Sequence, residues 1–89
     1  MTTRAVTIVN ALGLHARAAA RFVHAASTFT SQIRVTAGRR VMDGKSIMGL
    51  LLLAAAQGTE IQISADGPDE HAAVETLSDL VTRGFEPCA

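Results

Sequence analysis

The sequence lacks most of what marks a nucleic-acid binder, a membrane protein or a redox scaffold. Its aromatic residues are three phenylalanines, with no tryptophan or tyrosine, so there is no platform on which bases could stack. Charge excess is missing too: eight acidic side chains balance eight lysines and arginines, whereas nucleic-acid phosphates select a clear basic surplus. A nucleic-acid partner is excluded on both counts. The single cysteine, Cys88, sits in the tail "FEPCA" and can close neither an internal disulfide nor a metal cluster. The longest apolar run, "IMGLLLLAAA" from Ile47 to Ala56, is about half of the ~20 residues that a bilayer span requires, so no membrane insertion is expected. The opening "MTTRAVTIVNALGL" breaks its apolar character at Thr7 and Asn10 and offers no small-residue cleavage site, unlike a signal peptide. A cytoplasmic protein is expected. Linkers, repeats and low-complexity stretches are also lacking. With 89 residues and 48% hydrophobic content, residues 1–89 should form one domain, burying roughly 60% of the unfolded surface around one core.

What is present is alternation. In "RAVTIVN" Val6 and Ile8 share one face, as in a half-buried strand. From Ala16 to Ser27, Ala19, Phe22, Val23 and Ala26 recur at helical spacing, and Arg17, Arg21 and His24 take the opposite, solvent-facing side. "SQIRVTAGRRVMDGKS" reads as a hairpin: Ile33 and Val35 point inward, Ala37-Gly38 turns the chain, Val41 and Met42 form the return strand, and Asp43-Gly44 ends it. A second helix should open near Ser46, run to about Ala55, and stop at Gly58 in the left-handed conformation. "TEIQISAD" alternates again with Ile61 and Ile63 inward. Asp66-Gly67 then turns into a last helix with Ala73, Val74, Leu77, Leu80 and Val81 on one stripe. Four short strands with one apolar face each, and three amphipathic helices to cover it, predict an α+β fold. The expected form is a two-layer open-faced sandwich in the order βαββαβα, with a four-stranded antiparallel sheet and three helices on one face.

The chemistry concentrates in "NALGLHARAAARFV", Asn10 to Val23. His15 falls where the first helix begins, beside backbone N–H groups that have no intrahelical partner. Those donors and the positive end of the helix dipole favour an anion such as a phosphoryl group, and Arg17 can add a bidentate guanidinium. A neutral imidazole is a competent nucleophile. The alternative is that His15 merely caps the helix, the ordinary role of a polar side chain there, and local spacing leaves both open.

"GLHARAAARF" is similar to the active-site signature of the histidine-containing phosphocarrier protein (HPr) family of the bacterial phosphoenolpyruvate-dependent sugar phosphotransferase system, Gly-Leu-His-x-Arg-Pro-Ala. "GKSIMGLLLLAAAQGTEIQI" resembles the same family's second signature, a Lys-Ser before a hydrophobic helix, then Gly-Thr and a closing strand. The resemblance covers nearly the whole chain. It implies that His15 accepts phosphate on Nδ1 from phosphorylated enzyme I and passes it to a IIA-type protein, with Arg17 steadying the phosphoryl group. Ala18 stands where the family usually has proline. Proline rigidifies a first helical turn but alanine is the best helix former, so the turn should persist with less preorganisation. Alanine there resembles the nitrogen-related branch of the family.

Ser46 precedes the second helix and should cap it, worth ~1 kcal/mol. The resemblance adds that an HPr kinase phosphorylates this serine in some lineages; such a phosphate would bring about −2 charges to the helix N-terminus. The helix behind it is apolar almost all round, yet only one stripe can be buried. If Leu50 and Leu53 face the core, then Ile47, Met48, Leu51 and Leu52 form a surface patch, the usual mark of a partner site, unless tighter packing hides them. Rimmed by His15, Arg17, Arg21 and His24, with Ala16 beside them, the patch suits hydrophobic grooves with acidic rims on donor and acceptor. His71 has no partner in view, Arg39-Arg40 reads as a solvated turn, and no histidine has metal-ligand spacing. No metal or cofactor is expected. A phosphoryl relay without a substrate pocket fits these features best. A regulatory docking module of the same fold, acting without phosphoryl transfer, is the alternative, although His15 with Arg17 argues against it. A metal- or ligand-binding α+β domain would need a cysteine pair or a glycine-lined loop, and neither is present.

Overall fold

The computed structural model of the protein describes residues 1–85, so Cys88 lies outside the described residues. The chain runs β1 (Thr2–Thr7), α1 (Ala16–Ala26), β2 (Gln32–Ala37), β3 (Arg40–Asp43), α2 (Ile47–Leu53), β4 (Glu60–Asp66) and α3 (Glu70–Thr82). The expected order βαββαβα holds. The strands form one antiparallel sheet in the order β1-β4-β2-β3, and all three helices cover one face of it.

Register explains which face. Val6 lies opposite Ile61, Ile63 opposite Val35, and Ala65 opposite Ile33, and all six are buried. One residue along, the other set is polar: Thr3 opposite Ser64, Ser64 opposite Arg34, Arg34 opposite Asp43. Because side chains alternate along a strand, a slip of one residue would exchange the two sets. α3 lies across β1 and β4, α2 lies against β3 and β2, and α1 packs on both helices. Helix α1 buries Ala18, Ala19, Phe22 and Ala26, while α3 buries Ala73, Val74, Leu77, Leu80 and Val81 together with Ser78. Val23 is half-buried against the same core.

Four local features differ from the sequence-based expectations. The hairpin loop is Gly38-Arg39, because Ala37 pairs with Arg40 and Gly38 supplies a left-handed φ of 61°. Arg40 is therefore a strand residue, and its Nη1 donates to Leu52 O at 2.7 Å, joining β3 to the end of α2. Helix α2 ends at Leu53, with Ala54 as its left-handed cap at φ 51°; Gly58 is left-handed too, at φ 87°, but lies further along. Alanine propensity would carry the helix further, but Ala55 O is committed to Leu14 N at 2.8 Å and Gly58 N to Ile8 O at 2.8 Å. Tertiary hydrogen bonds overrule the local preference. Finally, His71 Nδ1 does have a neighbour, Thr2 Oγ1 at 3.2 Å.

The loop between α1 and β2 is tied to the start of α3. Asp69 Oδ2 accepts from Thr30 N at 2.9 Å and Oδ1 from Ser31 N at 2.9 Å, and the Ser31 hydroxyl donates to the same carboxylate. These donors, the Ser31 hydroxyl first and then the Thr30 N–H, hold the Asp69 carboxyl well below its ordinary value, down to about 2. Close packing accompanies the tie: a Cβ on Gly67 would stand 2.7 Å from Ser31 Cα.

Candidate functional site at the start of the first helix

The loop from Asn10 to Leu14 carries the chain from β1 to α1, and each of its bonds serves to aim residue 15. Gly13 N donates to Asn10 O at 3.1 Å, and the Asn10 side chain returns the contact, Nδ2 donating to Gly13 O at 2.7 Å. Asn10 thus closes the turn with both its main chain and its amide, a habit of asparagine in turns. Gly13 adopts φ 64° and fits flush against the segment after α2, where a Cβ would come within 2.5 Å of Ala55 O. No other residue type combines that φ with that closeness. Leu14 is buried, and its N–H reaches Ala55 O. His15 is left half-buried at the helix mouth.

His15 occupies the N-cap position, with extended φ −84° and ψ 179°. Its carbonyl accepts from Ala19 N at 2.8 Å, and its Nδ1 accepts from Arg17 N at 3.2 Å. A nitrogen that accepts a hydrogen bond carries its lone pair, so a neutral ring in this arrangement keeps its proton on Nε2. The helix-capping reading and the nucleophile reading therefore fall on one atom, and a new bond at Nδ1 would take the lone pair that now accepts from Arg17 N. Helix geometry leaves the Ala16 N–H without an intrahelical acceptor as well, and Ala18, buried at the first turn, leaves that turn intact without proline.

A depression of about 320 Å³ opens beside the ring, lined chiefly by Asn10, Leu12, His15, Arg17, Arg21 and Phe85. Arg17 is exposed and Arg21 half-buried. The Arg21 guanidinium departs from the basic rim expected around α2: its Nη1 donates to Phe85 O at 2.9 Å, beyond the end of α3. His24, in the last turn of α1, is exposed, as is Ala16.

At α2, Ser46 caps the helix, its Oγ accepting from Gly49 N at 3.1 Å. Leu50 and Leu53 enter the core. Ile47, Met48 and Leu52 remain outside, 43%, 67% and 53% exposed, which makes a real apolar patch on a helix that packs against α1. Leu51 is the exception, half-buried against the core rather than fully on the surface. Leu12 adds an apolar group that helical and strand periodicity miss; it is 78% exposed next to His15. A leucine inside a turn, just before a left-handed glycine, has no core face to join, and that was the available signal. Among the described residues no cluster of three or more His, Cys, Asp or Glu is arranged to hold a metal, and no helix is long and apolar enough to cross a membrane.

Comparison with known proteins gives a family and a fold. Residues 2–83 match the family described as "PTS HPr component phosphorylation site". The phosphocarrier protein HPr of Neisseria meningitidis serogroup A is 47% identical over 85 residues, covering 96% of each chain. That of Cupriavidus necator is 44% identical over 85 residues, again 96% of each. Among solved structures, an HPr from Thermoanaerobacter tengcongensis superposes with a TM-score of 0.91 at 42% identity, over 99% of this chain and 100% of that one.

Proposed function

Because the chain belongs to the family of histidine-containing phosphocarrier proteins (HPr) of the phosphotransferase system, we propose that its His15 accepts a phosphoryl group from phosphorylated enzyme I and delivers it to a IIA-type protein. The observation that carries the assignment is the lone pair of Nδ1, aimed by the Arg17 N–H at the mouth of α1. In the forward step Nδ1 gives that pair to phosphorus while the bond from phosphorus to the donor's leaving atom breaks. The Arg17 N–H then loses its acceptor and turns to a phosphoryl oxygen, where it meets the charge that the group brings. The positive end of the helix dipole acts in the same direction, and the exposed Arg17 side chain supplies a guanidinium to the equatorial oxygens. Delivery is the same sequence reversed, so the site must hold the group firmly enough to carry it and loosely enough to release it.

Ile47, Met48 and Leu52 form the centre of the docking surface in this reading, with Leu12 and Ala16 extending it toward His15 and Arg17 and His24 on its charged border. Such a surface fits a partner groove that is apolar inside and acidic at its edge. Ser46, at the N-terminus of the helix that carries the patch, is the proposed target of a regulatory HPr kinase: a phosphate there would favour the helix and repel an acidic partner. A cytoplasmic location follows from such partners. The nitrogen-related branch is the assignment that Ala18 favours. The test is incubation with enzyme I and labelled phosphoenolpyruvate. Acid-labile label should appear on the protein and be lost in His15→Ala; label persisting on that variant would overturn the assignment.

A further inference from the structure

We propose that Arg21 is a second phosphoryl-binding cation, which together with Arg17 embraces the group carried by His15. The proposal rests on His15 being the acceptor. Arg21 stands four residues after Arg17, on the same face of α1, and long side chains on a helix lean toward its N-terminus. Both arginines and His15 line the same depression. The guanidinium of Arg21 is ordered before any anion arrives, because Nη1 donates to Phe85 O at 2.9 Å. Its anchor is itself packed into the fold: Phe85 is 1% exposed, holds a left-handed φ of 64° and donates its N–H to Leu80 O at 2.9 Å. One of five N–H donors is used by that bond, and among the described residues the guanidinium makes no other.

Charge completes the case. Among the described residues no carboxylate lines the depression, and the ion pairs, Glu70 with the Met1 amine and Arg83 with Asp79, lie elsewhere. Two guanidinium groups beside an imidazole suit a dianionic phosphoryl group rather than a neutral substituent. The two arginines divide the work. Arg17 is exposed and can follow the group as it approaches and leaves, whereas Arg21 is half-buried and tethered, and so lowers the ordering cost of gripping an anion. The rival role for Arg21 is purely structural, a tie between α1 and the chain after α3.

The experiment phosphorylates wild type, Arg21→Gln and Arg21→Lys by two routes: enzyme I with phosphoenolpyruvate, and phosphoramidate, a small donor that needs no docking surface. Loss of one charge-assisted grip should slow phosphoramidate labelling of Arg21→Gln by roughly tenfold, with Arg21→Lys falling between it and wild type. In wild type, the Nε–H resonance of Arg21 should move on phosphorylation, which a structural tie has no reason to show. Arg21→Gln labelled by phosphoramidate at the wild-type rate, or an Arg21 resonance that stays in place, overturns the proposal. If Arg21→Gln does not fold, Arg21→Lys and the wild-type resonance decide. A wild type that takes label from phosphoramidate but not from enzyme I refutes the donor assignment instead, and the phosphoramidate arm still judges Arg21.

Discussion

The two ends of α1 are held in opposite ways. At its start, a single side-chain bond of 3.2 Å from Arg17 N to His15 Nδ1 closes the cap, beside a depression bordered by cations. Beyond its end, the Asp69 carboxylate gathers the N–H groups of Thr30 and Ser31 and the Ser31 hydroxyl across from α3. Saturation suits a joint that must never move. In the proposed relay His15 exchanges one bond for another in every cycle, and the weak, replaceable bond from Arg17 N suits that.

Substitutions at the two ends should therefore separate chemistry from stability, and the largest effect belongs to His15. His15→Ala should take phosphoryl acceptance to background while costing the fold about 1 kcal/mol, the worth of a helix cap. Labelling and thermal melting on one preparation check both halves. Asp69→Ala should do the reverse, lowering the thermal midpoint while the label is still taken up at the wild-type level. Loss of labelling in a folded Asp69→Ala would mean that the two ends are coupled and would break the comparison.

The Asp69 end also has its own pH signature. A carboxylate held at about 2 against an ordinary 3.8 binds its proton more readily in the unfolded chain. Its stabilisation is present above pH 4 and is lost as pH falls from about 4 toward 2. Denaturant midpoints across that range should drop for wild type and run flatter for Asp69→Asn; parallel curves would show that the acid sensitivity originates elsewhere.

Smaller again are the effects expected at α2. Met48→Glu should weaken enzyme I binding by placing a charge at the centre of the apolar patch. Ser46→Asp should weaken it less, and less still at high salt, where surface charge is screened, while raising helix stability by roughly 0.3–1 kcal/mol through the dipole. Calorimetry at two ionic strengths measures both. Affinities equal to wild type in the two variants would move the docking surface away from α2.

How far the sequence foretold this depends on the range of each interaction. His15 was legible because its signals are local: a glycine turn, a helix start and an arginine two residues on. The strand faces were legible because Val6, Ile33, Val35, Ile61 and Ile63 obey the period of two. Asp69 was not, since its partners at Thr30 and Ser31 are far away in the chain and nothing around it announces them. The end of α2 was misjudged for the same reason. Ala54 and Ala55 favour helix by themselves, and only the distant Leu14 N–H explains why the helix stops. Arg21 presents a third case: sequence placed it correctly on the polar face of α1, but the carbonyl of Phe85 that turns it aside lies 64 residues further along.

The sheet order has a consequence for how the molecule comes into being. Among the described residues β1 pairs with no strand but β4, with Thr2 facing Ala65, so the first strand made waits for the last. Closing so long a loop costs conformational entropy before any contact rewards it, and mixed α/β topologies fold more slowly than helical bundles. The residue at the mouth of α1 inherits that delay, because Leu14 is seated by Ala55. On the ribosome, a nascent chain that has already exposed its histidine still lacks the far half of its seat until Ala55 has emerged.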